Sequence, residues 1–243
     1  MWTNVTIGRT IRNIISHGVP RIVIVGRNEQ RGEHAKSLIE QHGAKVAFVQ
    51  GNAIDPDAAQ DIATQAEGLL DSIAILVCST AADVTPELFA KIPTEDIATI
   101  YNHIALPSMH MASTVLPVMR RQRRGVVVDL ASDAGKTATP GEAVIGAAKA
   151  GITMFTRTIA IEGKRSGIRA NVLTPALVNE TGSTERITGD GFGAKLFAKA
   201  AQQAHLGVPV ADDIAALAVF LCRPEAARTT GQAISVNGGI SAA

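Results

Sequence analysis

Aromatic side chains are scarce in this chain: six Phe, one Trp and one Tyr among 243 residues. Any chemistry that needs a tyrosine hydroxyl would have to use Tyr101. Only two cysteines occur, Cys78 and Cys222, far apart and without ligand spacing around them. This excludes a disulfide framework and a thiolate metal centre, and both read as small buried hydrophobes. Neither sign of charge is in excess, since 23 Lys and Arg face 22 Asp and Glu and leave a formal +1. Broad nucleic-acid binding needs a large positive footprint and is not expected. No signal peptide and no apolar run of roughly 18 residues stands out, so the expectation is a soluble, cytoplasmic protein that meets no membrane.

What is present is alternation. Short, mostly apolar runs lie at Arg21–Gly26, Lys45–Gln50, Ser72–Cys78, Gly125–Ala131, Ile168–Leu173 and Ala233–Val236. Such runs suit strands buried on both faces of a parallel sheet. Helical patterns separate them, at Glu29–Gln41, Asp57–Leu70, Thr94–Arg121, Gly141–Gly163 and Ala211–Leu221. Strand and helix in turn imply an α/β doubly wound architecture, here a single domain over residues 1–243. The stretch Val178–Gly193, with Gly182, Gly189, Gly191 and Gly193, reads as a loop beside a cleft. The basic run Arg120-Arg121-Gln122-Arg123-Arg124 falls at a helix end, where cations match the dipole.

Four ordered motifs carry a family resemblance. They are Gly18 to Asn28, ending Gly-Arg-Asn; Asp129-Leu130-Ala131-Ser132; Ile168-Arg169-Ala170-Asn171-Val172-Leu173-Thr174-Pro175; and Thr230-Gly231-Gln232 through Val236-Asn237-Gly238-Gly239. A fifth stretch, Val144-Ile145-Gly146-Ala147-Ala148-Lys149-Ala150-Gly151, matches a Tyr-x-x-x-Lys-Ala-Gly signature except at the tyrosine. Together they resemble the short-chain dehydrogenase/reductase (SDR) family over nearly the whole chain from about Ile7. The resemblance implies a Rossmann-like sheet and a site of tyrosine, lysine, serine and asparagine.

Residue by residue, the resemblance places Ser132, Lys149 and Asn102 at three of the four catalytic positions, with Ser132 thirteen residues before Ile145. Ile145 holds the tyrosine position, and an isoleucine neither gives nor takes a proton. Losing a positioned acid/base costs about 10²–10⁴ in rate. Asn102, Ser132 and Lys149 therefore read as vestigial, kept because they can satisfy backbone groups. Tyr101, His103 and His110 are weak substitutes on the same helix. The family's cofactor positions are altered too. The phosphate-binding loop would fall at Trp2–Gly8, where Gly8 is its one remaining glycine. The first strand and its glycine-rich loop are expected to be truncated, with a short stub at Trp2–Thr6. Cys78-Ser79-Thr80-Ala81 replaces Asn-Asn-Ala-Gly, Asn52-Ala53 replaces Asp-Val, Ala176 replaces a glycine and Glu180 a threonine. Arg27 alone keeps the family's choice.

The resemblance then implies a scaffold whose interfaces outlast its chemistry. We expect a non-catalytic subunit that binds no cofactor and no metal. It would pair in a heterotetramer with an active SDR paralogue that holds NAD, a β-hydroxyacyl-CoA dehydrogenase. Small residues on the Gly141–Gly163 helix (Ala143, Gly146, Ala147, Ala150, Gly151) permit close helix approach. Two other readings stand beside it: a cofactor-independent enzyme using Ser132 and Lys149 with Asp133, and an NAD(P)-dependent oxidoreductase of unusual design.

Overall fold

A computed structural model describes residues 21–80, 83–182, 184 and 191–242. The expectations for Gly8 and the Trp2–Thr6 stub fall outside the described residues, as does Ala81. The chain runs β1 (Arg21–Gly26), α1 (Glu29–Glu40), β2 (Lys45–Gln50), α2 (Pro56–Leu70), β3 (Ile75–Cys78) and α3 (Thr94–Gln122). It continues through β4 (Gly125–Leu130), α4 (Ala143–Gly163), β5 (Ile168–Pro175), α5 (Gly191–Gln203), α6 (Ala211–Cys222) and β6 (Ala233–Val236). Helix starts carry their signals. Asn28 caps α1 by accepting from Arg31 N, and Asp55 caps α2 by accepting from Asp57 N and Ala58 N, with Pro56 in the first turn.

All pairings between named strands are parallel. Among the described residues they form two groups, β1-β2 and β3-β4-β5-β6. The second group is packed on both faces, and the strand period of two decides which face each residue serves. Val127 and Ala170 point to α3 and α4 and join Val115, Met119, Ile159 and Ala160. Val128, Leu130 and Leu173 point the other way and join Ile214, Ala218 and Leu221 of α6. Between β1 and β3 lies an apolar cleft of about 1200 Å³, walled by both strands and by Ile62, Met111 and Val115.

Two glycines set the approach of α4 and its flanking turn. A Cβ on Gly146 would stand 2.6 Å from Ala134 O, so only glycine lets α4 press against the turn after β4. Gly167 has φ 68°, and a Cβ there would stand 2.5 Å from Arg123 O. That seats the turn after α4 directly on the end of α3.

Three expectations change. The third strand starts at Ile75 rather than Ser72, because α2 ends on Asp71 in the left-handed region (φ 62°) and Ser72–Ala74 only lead into the strand. Part of the expected loop Val178–Gly193 belongs to α5, where Phe192 packs over Gly141. Finally, Ala143–Ser166 is long and apolar enough to cross a bilayer by composition, though half of that window is buried inside the protein.

Candidate active-site region

The strands' carboxyl ends bring together the turn after β4, the first turns of α4 and the middle of α3. Ser132 follows β4, and its Oγ accepts from Ala134 N at 3.2 Å, capping the turn Asp133–Gly135. The hydroxyl oxygen thus serves its own turn. Lys149 reaches back from α4, and its Nζ donates to Leu130 O at 3.2 Å. Burial pushes the ammonium down to about 8, against the pull of Asp129 and Glu142, which favour its charge.

Those two carboxyls were not singled out as site residues from sequence. Asp129 is fully buried, and Thr156 Oγ1 donates to its Oδ2 at 2.7 Å. Its Oδ1 is buried without a hydrogen bond of good geometry. Burial raises its pKa to about 6, opposed by Thr156, Cys78, Ser108 and the Lys149 charge. Glu142 stands just before α4 and is raised to about 7, first by burial, with Lys149 opposing and Asp133 adding to the rise. One signal was available. An aspartate inside Val-Val-Val-Asp-Leu is a polar residue in a run that a buried strand fills with aliphatics.

Ile145 sits one turn before Lys149, lines the cleft and packs in a cluster with Ile104, Ala148 and Ile152. Asn102 does not join them. It is exposed on α3, while Ile104, 200° further round that helix, is buried at 3% exposure and faces α4. Asn102 is therefore exposed on α3, while the neighbouring Ile104 packs with Ala131, Ala148 and Ile152. Tyr101 packs on α4, its hydroxyl 2.8 Å from where a Gly151 Cβ would be. His103 Nδ1 bonds Thr99 O of its own helix, and His110 Nδ1 bonds Ala53 O. Asp133 is committed elsewhere: its Oδ1 accepts from Ser241 Oγ at 2.7 Å and from Asn237 Nδ2 at 3.4 Å, which pins the chain's end to the β4 turn.

Further along the strand ends lie the positions read as cofactor contacts. Arg27 is exposed at the end of β1, and its carbonyl accepts from Gln50 Nε2. Asn52 Oδ1 accepts from Ile54 N at 3.5 Å. Cys78 is buried, its thiol pushed well above the usual range by burial and by the neighbouring Asp129. Ala176 follows β5, and Glu180 is exposed with φ 57°, a left-handed conformation uncommon for its type. No group of three or more His, Cys, Asp or Glu among the described residues could hold a metal.

A parallel α/β sheet with a cleft beside its strands, and a Ser–x₁₆–Lys pair at their carboxyl ends, defines a Rossmann-like α/β protein. The comparisons make this specific. Residues 5–241 match the family model described as enoyl-(acyl carrier protein) reductase, and the chain belongs to the short-chain dehydrogenase/reductase family. It is 28% identical over 235 residues to the 7α-hydroxysteroid dehydrogenase of Bacteroides fragilis, covering 96% of this chain and 88% of that protein. It is 27% identical over 234 residues to a 3-oxoacyl-[acyl-carrier-protein] reductase of Vibrio harveyi, covering 96% and 92%. A short-chain dehydrogenase/reductase structure from Burkholderia xenovorans superposes with a TM-score of 0.87 at 25% identity, covering 100% of this chain and 92% of that one. A 7α-hydroxysteroid dehydrogenase structure, at TM-score 0.87 and 22% identity over 98% and 91%, shares the fold.

Proposed function

We propose that this chain is a non-catalytic subunit of an NAD-dependent SDR assembly, acting as one unit that pairs with an active paralogue. The observation that carries the reading is Ile145. The helix position one turn before Lys149 holds a side chain with no exchangeable proton, packed in an apolar cluster. The surroundings agree with a site that has left proton chemistry. Asn102 is exposed on α3, Ser132 caps its own turn, and the Lys149 ammonium is matched by Asp129 and Glu142.

The described residues do not fit a dinucleotide. The Cys78 thiol is buried against Asp129, Ala176 offers a methyl group, and an exposed Glu180 carboxylate would repel phosphate. In this reading the chain binds no cofactor and the paralogue carries the NAD. Pairing has a surface to use. Ala143, Ala147, Ala150, Met154 and Ile161 are exposed along one side of α4, the last two at 60%. For the reaction of the assembly we infer β-hydroxyacyl-CoA oxidation. The pattern is similar to the degenerate subunit of 2-(hydroxy(phenyl)methyl)succinyl-CoA dehydrogenase in anaerobic toluene breakdown. A cytoplasmic setting suits the two free cysteines.

Native mass spectrometry of the protein purified from its own host tests the pairing. A second chain of similar mass with an intact Tyr-x-x-x-Lys is expected, in a heterotetramer. A pure homo-oligomer would overturn the subunit reading. Fluorescence titration of the isolated chain with NADH and NADPH tests the cofactor part, and micromolar binding would overturn it.

A further inference from the structure

The basic run at the end of α3 is not isolated in space. α3 closes on Arg123 in the left-handed conformation. α4 closes on a short turn, Lys164–Ser166, followed by Gly167. The two ends lie against each other: Arg123 Nη2 donates to Arg165 O at 3.2 Å, and Gly167 sits on the Arg123 carbonyl. Six exposed cations thus share one face at the amino ends of the strands: Arg120, Arg121, Arg123, Arg124, Lys164 and Arg165. Glu67 pairs with Arg121 at 2.6 Å, and Glu162 is exposed in the last turn of α4. The patch keeps a clear positive excess, while the whole chain carries only +1. The rest of the surface is therefore acidic on balance.

A cation at a helix C-terminus complements the dipole, and one or two would need no further account. Six on two abutting ends repel one another weakly through solvent, and an anionic partner would relieve that repulsion. We propose that this face docks an acidic protein surface. The geometry selects against other anions. A compact phosphate would find no backbone N–H groups to complete its shell, since both helices present carbonyl ends here. Single-stranded nucleic acid wants aromatic platforms between the cations, and Arg120–Arg124 and Lys164–Gly167 contain none. Insertion into a lipid surface wants bulky apolar side chains, which the same two segments lack. The face lies at the opposite end of the strands from Ser132 and Lys149, so the inference stands whether or not this chain catalyses.

The test is fluorescence anisotropy with the full chain and a labelled 20-residue helical peptide bearing glutamates along one side. Binding is expected in 50 mM salt, weakened at least tenfold by about 200 mM salt. Arg123→Glu with Arg165→Glu should weaken it by a further tenfold or more, and the milder Arg120→Gln with Lys164→Gln by several-fold. Lys195→Glu, a remote exposed cation on α5, should leave it unchanged. Circular dichroism of each variant checks folding. Failure of the peptide to bind would overturn the proposal, as would equal loss with Lys195→Glu. Tighter binding of duplex DNA, phosphatidylglycerol vesicles or ATP than of the peptide would overturn it too.

Discussion

Replacing Asp129 with asparagine should stabilise this protein at neutral pH, although it removes a hydrogen-bonded, charge-paired group. Asp129 is fully buried, and burial raises its pKa from 3.8 to about 6. A native pKa above the unfolded one means that the native state binds the extra proton. The contribution of Asp129 to stability is therefore greatest below about pH 4 and falls by about 1.4 kcal/mol per unit as the pH rises toward 6. Over that window the loss is about 3 kcal/mol and persists above it. Asparagine keeps an acceptor for Thr156 Oγ1 and places an amide toward the Cys78 thiol and Ser108 hydroxyl, both close to the carboxylate. What it forfeits is the attraction of Lys149, and Glu142 remains to match that ammonium. Urea unfolding at pH 4, 6 and 7.5 reads the outcome. The variant should match the parent at pH 4, gain about 1–3 kcal/mol at pH 7.5 and show a flatter slope between. A loss of more than about 1 kcal/mol at pH 7.5 would refute the reasoning, because the ion pair would then outweigh the desolvation it demands.

Three further outcomes follow from the same geometry. Gly146→Ala should cost about 1–3 kcal/mol despite alanine's better helix propensity, since its Cβ would fall 2.6 Å from Ala134 O; a rise in Tm would contradict this. Asn171→Ala should cost about 2–3 kcal/mol by chemical denaturation, because the fully buried side chain donates to Thr229 O and accepts from Gln232 N; a change below about 0.5 kcal/mol would contradict the pairing. Ile145→Tyr alone should yield no NADH-dependent turnover of ketone substrates above background, because Ser132 caps its own turn and Asn102 is exposed on α3. Turnover within a hundredfold of an active relative would show that one side chain was all that was missing.

Much of the fold was legible because strand ends and helix faces follow from simple periods. Arg21–Gly26 and Lys45–Gln50 pair over the residues that their apolar runs indicate. The sequence names the side chain at each site position, as at Ile145, but not the direction in which a helix turns it. Asn102 was matched by motif alone, and it lies 200° round the helix from the buried Ile104. A single asparagine with polar neighbours fixes no phase, whereas the buried set Ile104, Ala105 and Ser108 does. Asp129 was read as part of a strand motif and not as a charge, so its coupling to Lys149 went unseen. The helix at Gly191–Gln203 was masked by its glycines, though Ala194–Ala201 is rich in helix formers.

The two thiols have a practical consequence. Cys78 is buried beside a carboxylate, and Cys222 is held up to about 11 by burial despite Arg169. Neither supplies appreciable thiolate near neutral pH, so both should be slow toward maleimides and peroxide. The native chain is then a chemically silent background. A single cysteine introduced at Ala147 or Met154 would report by its labelling rate alone whether that side of α4 is covered.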